Sequence, residues 1–179
     1  MKILKFILFG LIGILLLGLL AAAFIPKKMD VEVSVIIDKP VVEVFDYVKK
    51  LKNQDKFSVW MQVDPHMQKT YMGMDGTVGA VSKWKSTNSD VGQGEQEIKT
   101  IVPNKRIDYE LRFIEPFQST DRAYMITDQI TSSQTKVIWG FNSVSPYPMN
   151  LVVKIMGVEQ MLSNQLQEGL RTLKKQMEE

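Results

Sequence analysis

The chain has no cysteine and a single histidine, His66. The first absence excludes disulfides, thiolate metal sites, thiol nucleophiles and lipid attachment through a cysteine. With one histidine, a zinc site would have to be built from carboxylates, which suit zinc poorly, so no metal is expected. Charge of one sign is lacking too: the formal net charge is +2, and lysines alternate with acids. No basic stripe suggests a phosphate backbone, so no nucleic-acid partner is expected. Lys49-Lys50-Leu51-Lys52, with Lys56 nearby, reads as a solvated helix face before it reads as a site for anionic lipid. Gly73-Met74-Asp75-Gly76-Thr77-Val78-Gly79 lacks the lysine and hydroxyl of a P-loop and the strand-to-helix setting of a dinucleotide site, and reads as a turn. No glycine-flanked serine forms a hydrolase elbow, and nothing calls for a cofactor.

What the chain does have is an uncharged run from Phe6 to Ile25. That is the length needed to cross a ~30 Å hydrocarbon core as a helix. Lys2 and Lys5 precede it, Pro26, Lys27 and Lys28 close it, and nothing later is comparably apolar. Two readings compete. Ala21-Ala22-Ala23 offers small residues of the kind a signal peptidase reads, but the run is longer than the core of a cleaved signal and continues through Phe24 and Ile25. The expectation is a retained single-pass anchor and linker over 1–29, followed by one domain over 30–179. The flanking lysines nearly balance. A very short N-terminal tail usually stays in the cytoplasm, so a bacterial-type cell membrane with an extracytoplasmic domain is the expected setting.

The remaining ~150 residues suffice for one domain with a real core. After a linker at Pro26 to Asp30, Val31, Val33, Val35 and Ile37 recur with the period of a strand. Asp38 is a candidate helix cap before Pro40, and Val41, Val44, Phe45 and Val48 follow at helical spacing. A second short helix is expected over Gln54 to Met61. The period then changes to two. Strands are expected at Ala80 to Ser86 and Gly92 to Val102, then around Ile107, Tyr109, Leu111 and Phe113, around Tyr124, Ile126 and Ile130, and around Val137, Trp139 and Phe141. Short polar connections between them imply an antiparallel meander. Val158, Leu162, Leu166, Leu170, Leu173 and Met177 mark a long terminal helix, with Leu151 to Met156 as a possible earlier turn of it. An antiparallel sheet with one apolar face needs a cover, and this helix is the element large enough.

This order of landmarks resembles the helix-grip superfamily, which includes START lipid-transfer domains, the Bet v 1 allergens and polyketide cyclases (the SRPBCC grouping). The resemblance runs from about Val31 to the C-terminus. It is carried by the proline-started helix Pro40-Val41-Val42-Glu43-Val44-Phe45-Asp46-Tyr47-Val48, by Phe57 and Trp60 before Asp64-Pro65, and by Gly76-Thr77-Val78-Gly79 before Trp84. Gly92-Gln93-Gly94-Glu95-Gln96-Glu97-Ile98 and Pro103-Asn104-Lys105-Arg106-Ile107-Asp108-Tyr109-Glu110-Leu111 continue it. It implies an α+β fold in which a curved antiparallel sheet wraps the C-terminal helix, with two short helices after the first strand. It also implies an internal apolar cavity for a lipid or another hydrophobic small molecule. The wide positions expected to line that cavity are Trp60, Trp84, Tyr109, Phe113, Trp139, Phe141, Met156 and Leu162. The same residues could instead fill a core.

The polar candidates are sparse. His66 follows Asp64-Pro65 in a polar loop and reads as a surface residue before a general base. Glu95, Glu97, Asp108 and Glu110 suit a solvated sheet face better than an acid–base pair. Arg112 could hold a ligand carboxylate or phosphate, although alternation with Phe113 turns it outward; Gln96 and Asn142 are weaker candidates for orienting a ligand. No catalytic residue is assigned. Three functions stay open: membrane-anchored binding or transport of a hydrophobic molecule, a cyclase- or dehydratase-type enzyme, and a non-catalytic interaction protein with a filled core. Binding is the leading one.

Overall fold

The computed structural model describes residues 2–179. Helix α1 (Lys2–Phe24) is followed by strand β1 (Lys28–Ile37) and three short helices, α2 (Val41–Val48), α3 (Leu51–Phe57) and α4 (Val59–Val63). Six strands come next: β2 (Gln68–Met72), β3 (Val81–Lys85), β4 (Gln93–Val102), β5 (Arg106–Glu115), β6 (Ser119–Thr131) and β7 (Gln134–Val144). Helices α5 (Met149–Ile155) and α6 (Val158–Glu178) close the chain. The strands form one sheet in the order β1-β7-β6-β5-β4-β3-β2, antiparallel throughout.

Alternation sets the faces. Val31, Val33 and Ile37 of β1, Ile107 and Tyr109 of β5, Ala123 and Met125 of β6, and Val137 and Trp139 of β7 are buried. They meet Leu166, Leu170, Leu173 and Met177 of α6 and Val44, Phe45 and Val48 of α2 in one core. Burying one such aliphatic side chain contributes about 1.5–3 kcal/mol, so this face holds α6 in place. The same helix protects the free edge of β1, where Gln167 Nε2 donates to the Ser34 carbonyl at 3.3 Å and Lys174 Nζ to that of Ile36 at 2.7 Å. Polar side chains on edge carbonyls blunt a template for further strand pairing.

Several local expectations change. Strand β1 begins at Lys28, inside the expected linker, because Lys28 already pairs with Val144. Asp38 is not the cap of α2: Pro40 takes the N-cap position, while the Asp38 carboxylate accepts from Gln134 Nε2 at 2.7 Å. The expected helix from Gln54 to Met61 is two helices, parted where Ser58 turns extended at φ −70°, ψ 128°. Strand β2 carries no apolar alternation to announce it; its Lys69 and Tyr71 turn instead to the carboxylate of Asp55. The Leu151–Met156 segment belongs to a separate helix, α5. The chain turns a corner at Gly157, whose φ of 65° lies in the left-handed region that glycine enters without a side-chain penalty.

Candidate functional site

The interior between sheet and α6 is well filled at its centre. Trp139 lies edge-on to Phe57, with ring centroids 5.6 Å apart, and to Trp60 at 6.4 Å. Gly169 of α6 makes room for it: a β-carbon there would stand 2.9 Å from the Trp139 ring and 3.2 Å from the Phe57 carbonyl oxygen. Tyr109 is 2% exposed, and burial pushes its hydroxyl pKa far up. That hydroxyl accepts from Gln54 Nε2 at 2.9 Å, and Gln54 Oε1 accepts from Gln96 Nε2 at 3.0 Å. Gln96 therefore joins an internal polar chain that keeps two buried side chains satisfied.

Of the expected cavity residues, Trp60, Tyr109, Trp139, Phe141 and Leu162 pack in or against this core. Trp84 and Phe113 form a separate half-buried pair, with centroids 5.9 Å apart. Met156 is a correction: it ends α5 at the turn into α6 and is 71% exposed, so it faces away from the interior.

The polar candidates sit elsewhere. Arg112 faces outward, where Nε donates to Glu95 at 2.6 Å and Nη1 to Glu97 at 2.8 Å and to Glu110. Hydrogen bonds from Lys83 and Arg112 hold the Glu95 carboxyl below its usual range, and those from Arg112 and Lys99 do the same for Glu97. Asn142 bonds Asp30 at 2.7 Å on an exposed stretch. The backbone N–H of His66 donates to Asp64, whose other oxygen accepts from Ser86 at 2.5 Å. None of these arrangements leaves a free acid–base pair.

A cavity of about 590 Å³ opens beside the start of the edge strand β1, between it, the turn after β7 and the α5–α6 corner. Met29, Val31 and Val153 are among its apolar lining, but most of the lining is polar or charged, including Lys27, Asp30, Glu32, Lys154, Glu159 and Gln160. None of the eight aromatic and aliphatic positions expected from the sequence lines it. Asn150 does, and it is 2% exposed. Its Nδ2 donates to the carbonyls of Ala22 at 2.7 Å and Ile25 at 2.8 Å, where α1 ends and its last carbonyls lack helical partners. Its Oδ1 is buried without a partner, the kind of group that a bound molecule or water completes. Sequence reasoning passed over Asn150. The available signal was an amide inside the otherwise apolar stretch Met149 to Val153.

The architecture is that of the helix-grip α+β class, a seven-stranded antiparallel sheet with a long C-terminal helix. Solved structures bear out that fold. KanY protein superposes with a TM-score of 0.63 at 13% identity, over 85% of this chain and 99% of that one. The di-domain ARO/CYC BexL from the BE-7585A biosynthetic pathway gives 0.59 at 17%, over 86% and 51%. Ara h 8.0201 gives 0.52 at 12%, over 84% and 97%. No family model matches the chain, and no curated protein does. Identities this low establish the fold and leave the activity to be argued from the site.

Proposed function

We propose that this chain is a membrane-anchored helix-grip domain that binds a lipid-like molecule in the cavity at the α5–α6 corner. The observation that carries the reading is the place of that cavity. At about 590 Å³ it is the size of a small-molecule site, and it borders Ile25 and Pro26, immediately after the apolar helix. Among the described residues, Ile3–Phe24 is the one helix long and apolar enough to cross a membrane. Its Ala22, at the candidate cleavage point, is fully buried, and the carbonyl is engaged by Asn150. That integration favours a retained anchor over a removed signal. A tether of this length raises the effective concentration of the site at the bilayer.

The mixed wall suits an amphiphile, with apolar contact from Met29, Val31 and Val153 and a buried acceptor in Asn150 Oδ1. Binding is favoured over catalysis because the strand carboxylates Glu95, Glu97 and Glu110 are committed to Arg112. The test is native mass spectrometry of the full chain released from lipid nanodiscs. A defined lipid-sized adduct is expected, lost in Ser163→Trp, which fills the cavity, and kept in Glu168→Trp on the same helix. A bare mass throughout, or equal adducts in both variants, would overturn the reading.

A further inference from the structure

We infer that α5 is an interfacial helix that seats the domain on the lipid surface, with its outer stripe in the bilayer; this rests on the membrane reading of α1. The argument starts from how α5 is held. The Tyr147 hydroxyl donates to the Leu19 carbonyl at 3.2 Å, and Asn150 holds those of Ala22 and Ile25. A β-carbon at Gly18 would lie 3.8 Å from Leu151 Cδ2. Small residues at Gly18 and Ala22 let the two helices approach closely, as in packing within membranes. α5 is thus fixed along the last two turns of α1.

Depth follows from length. The apolar helix Ile3–Phe24 has 22 residues and is about 33 Å long at ~1.5 Å per residue. That matches a ~30 Å hydrocarbon core. Gly18 stands about 9 Å short of the Phe24 end on the same scale. A helix packed at that level lies at the boundary of headgroups and acyl chains, the depth of interfacial helices.

The uncovered face has the matching chemistry. Met149 (47% exposed), Val152 (41%), Ile155 (76%) and Met156 (71%) form one stripe at spacings of three and four residues. Asn150 and Val153, outside this stripe, line the cavity. Lys154 lies beside Asn150 on the cavity side, where its ammonium pairs with Glu159 at 3.7 Å, so the stripe itself carries no charge. Tyr147 supplies the aromatic group that favours this depth. A contiguous apolar stripe left open on a soluble face would be a liability; continuous with a membrane helix, it has lipid as its cover.

The absence of cysteine makes the test clean. Single variants Leu11→Cys, Ile155→Cys and Glu168→Cys of the full chain are labelled with an environment-sensitive fluorophore. They are then reconstituted into vesicles of phosphatidylcholine and phosphatidylglycerol. Quenching is read separately from acyl-chain-brominated lipid and from aqueous iodide. The inference expects Ile155 to be quenched by brominated lipid nearly as strongly as Leu11, and several-fold more than Glu168. Leu11 in lipid with Ile155 open to iodide would overturn the seating of α5 and leave the anchor standing. Leu11 open to iodide would overturn the membrane reading and this inference with it. An Ile155 label shielded from both quenchers would place a protein partner, or a second copy, on the stripe instead of lipid. Unchanged circular dichroism of Ile155→Cys checks the fold, which this exposed position does not support.

Discussion

The two halves of α6 face the same sheet across different interiors. From Leu166 onward, through Leu170 and Leu173, the helix shares one core with Trp139, Phe57 and Tyr109, with nearly nothing exposed. Its N-terminal end, with the α5 corner, stands off β1 around a cavity of about 590 Å³ and leaves Asn150 Oδ1 without a partner. One half holds the fold together. The other tolerates unfinished packing and an unpaired acceptor beside the end of an apolar helix, and the proposed site rests on that difference.

The largest effect should come from breaking the packed half. Trp139→Ala would remove the ring that Phe57, Trp60 and Gly169 are built around, and a cost of about 3–5 kcal/mol is expected. Chemical denaturation of the full chain in detergent measures it. Ser163→Trp at the open half should cost far less while abolishing the lipid adduct. If both variants destabilise equally, the contrast between the two halves fails.

Asn150→Leu sharpens the contrast from the other side. It removes two hydrogen bonds to the end of α1 and the buried acceptor together. A loss of about 1–3 kcal/mol is expected in thermal melts, with weaker lipid uptake. Tyr109→Phe, in the packed half, leaves the Gln54 amide short of an acceptor. About 1–2 kcal/mol should be lost with uptake unchanged.

The smallest effects lie on the outer face and depend on pH. Glu95 and Glu97 titrate lower in the folded chain than the usual 4.5, so their contribution is present above that value and lost as pH falls through the folded pKa. Arg112→Met should flatten this acid limb in pH-dependent melts. At the other extreme, burial and the bond to Glu32 push the Tyr124 hydroxyl up to about 12. The folded state then keeps a proton that the unfolded chain releases near 10.0, and stability should fall as pH rises between the two values. Pairs this accessible to solvent contribute little, and neither limb should approach the loss at Trp139.

Much of the fold was legible in local pattern. The alternation of Val31, Val33 and Ile37, of Ile107 and Tyr109, and of Val137 and Trp139 is the period of a half-buried strand, and all of these residues are buried. The spacing of Leu166, Leu170 and Leu173 likewise marks the buried face of α6. Strand β2 was not legible, because its inner positions are Lys69 and Tyr71, held by Asp55 rather than by apolar burial. Nor was the break at Ser58, where backbone angles and not side-chain type end α3.

The candidate site was hardly legible. Wide aromatic side chains at inward positions can line a space or fill it, and composition does not distinguish the two; Trp139 fills it because Gly169, thirty residues on, lacks a side chain. The sequence by itself determined an uncharged run of membrane length, six of the seven strands and the long terminal helix, since all of these rest on local periodicity and transfer energy. Only the tertiary structure decided where the space lies. The corner at Gly157 turns Met156 outward and Asn150 inward, and the end of α1 reaches across more than a hundred residues of chain to meet that amide. Contacts at that separation follow from how the elements pack, and no local pattern contains them.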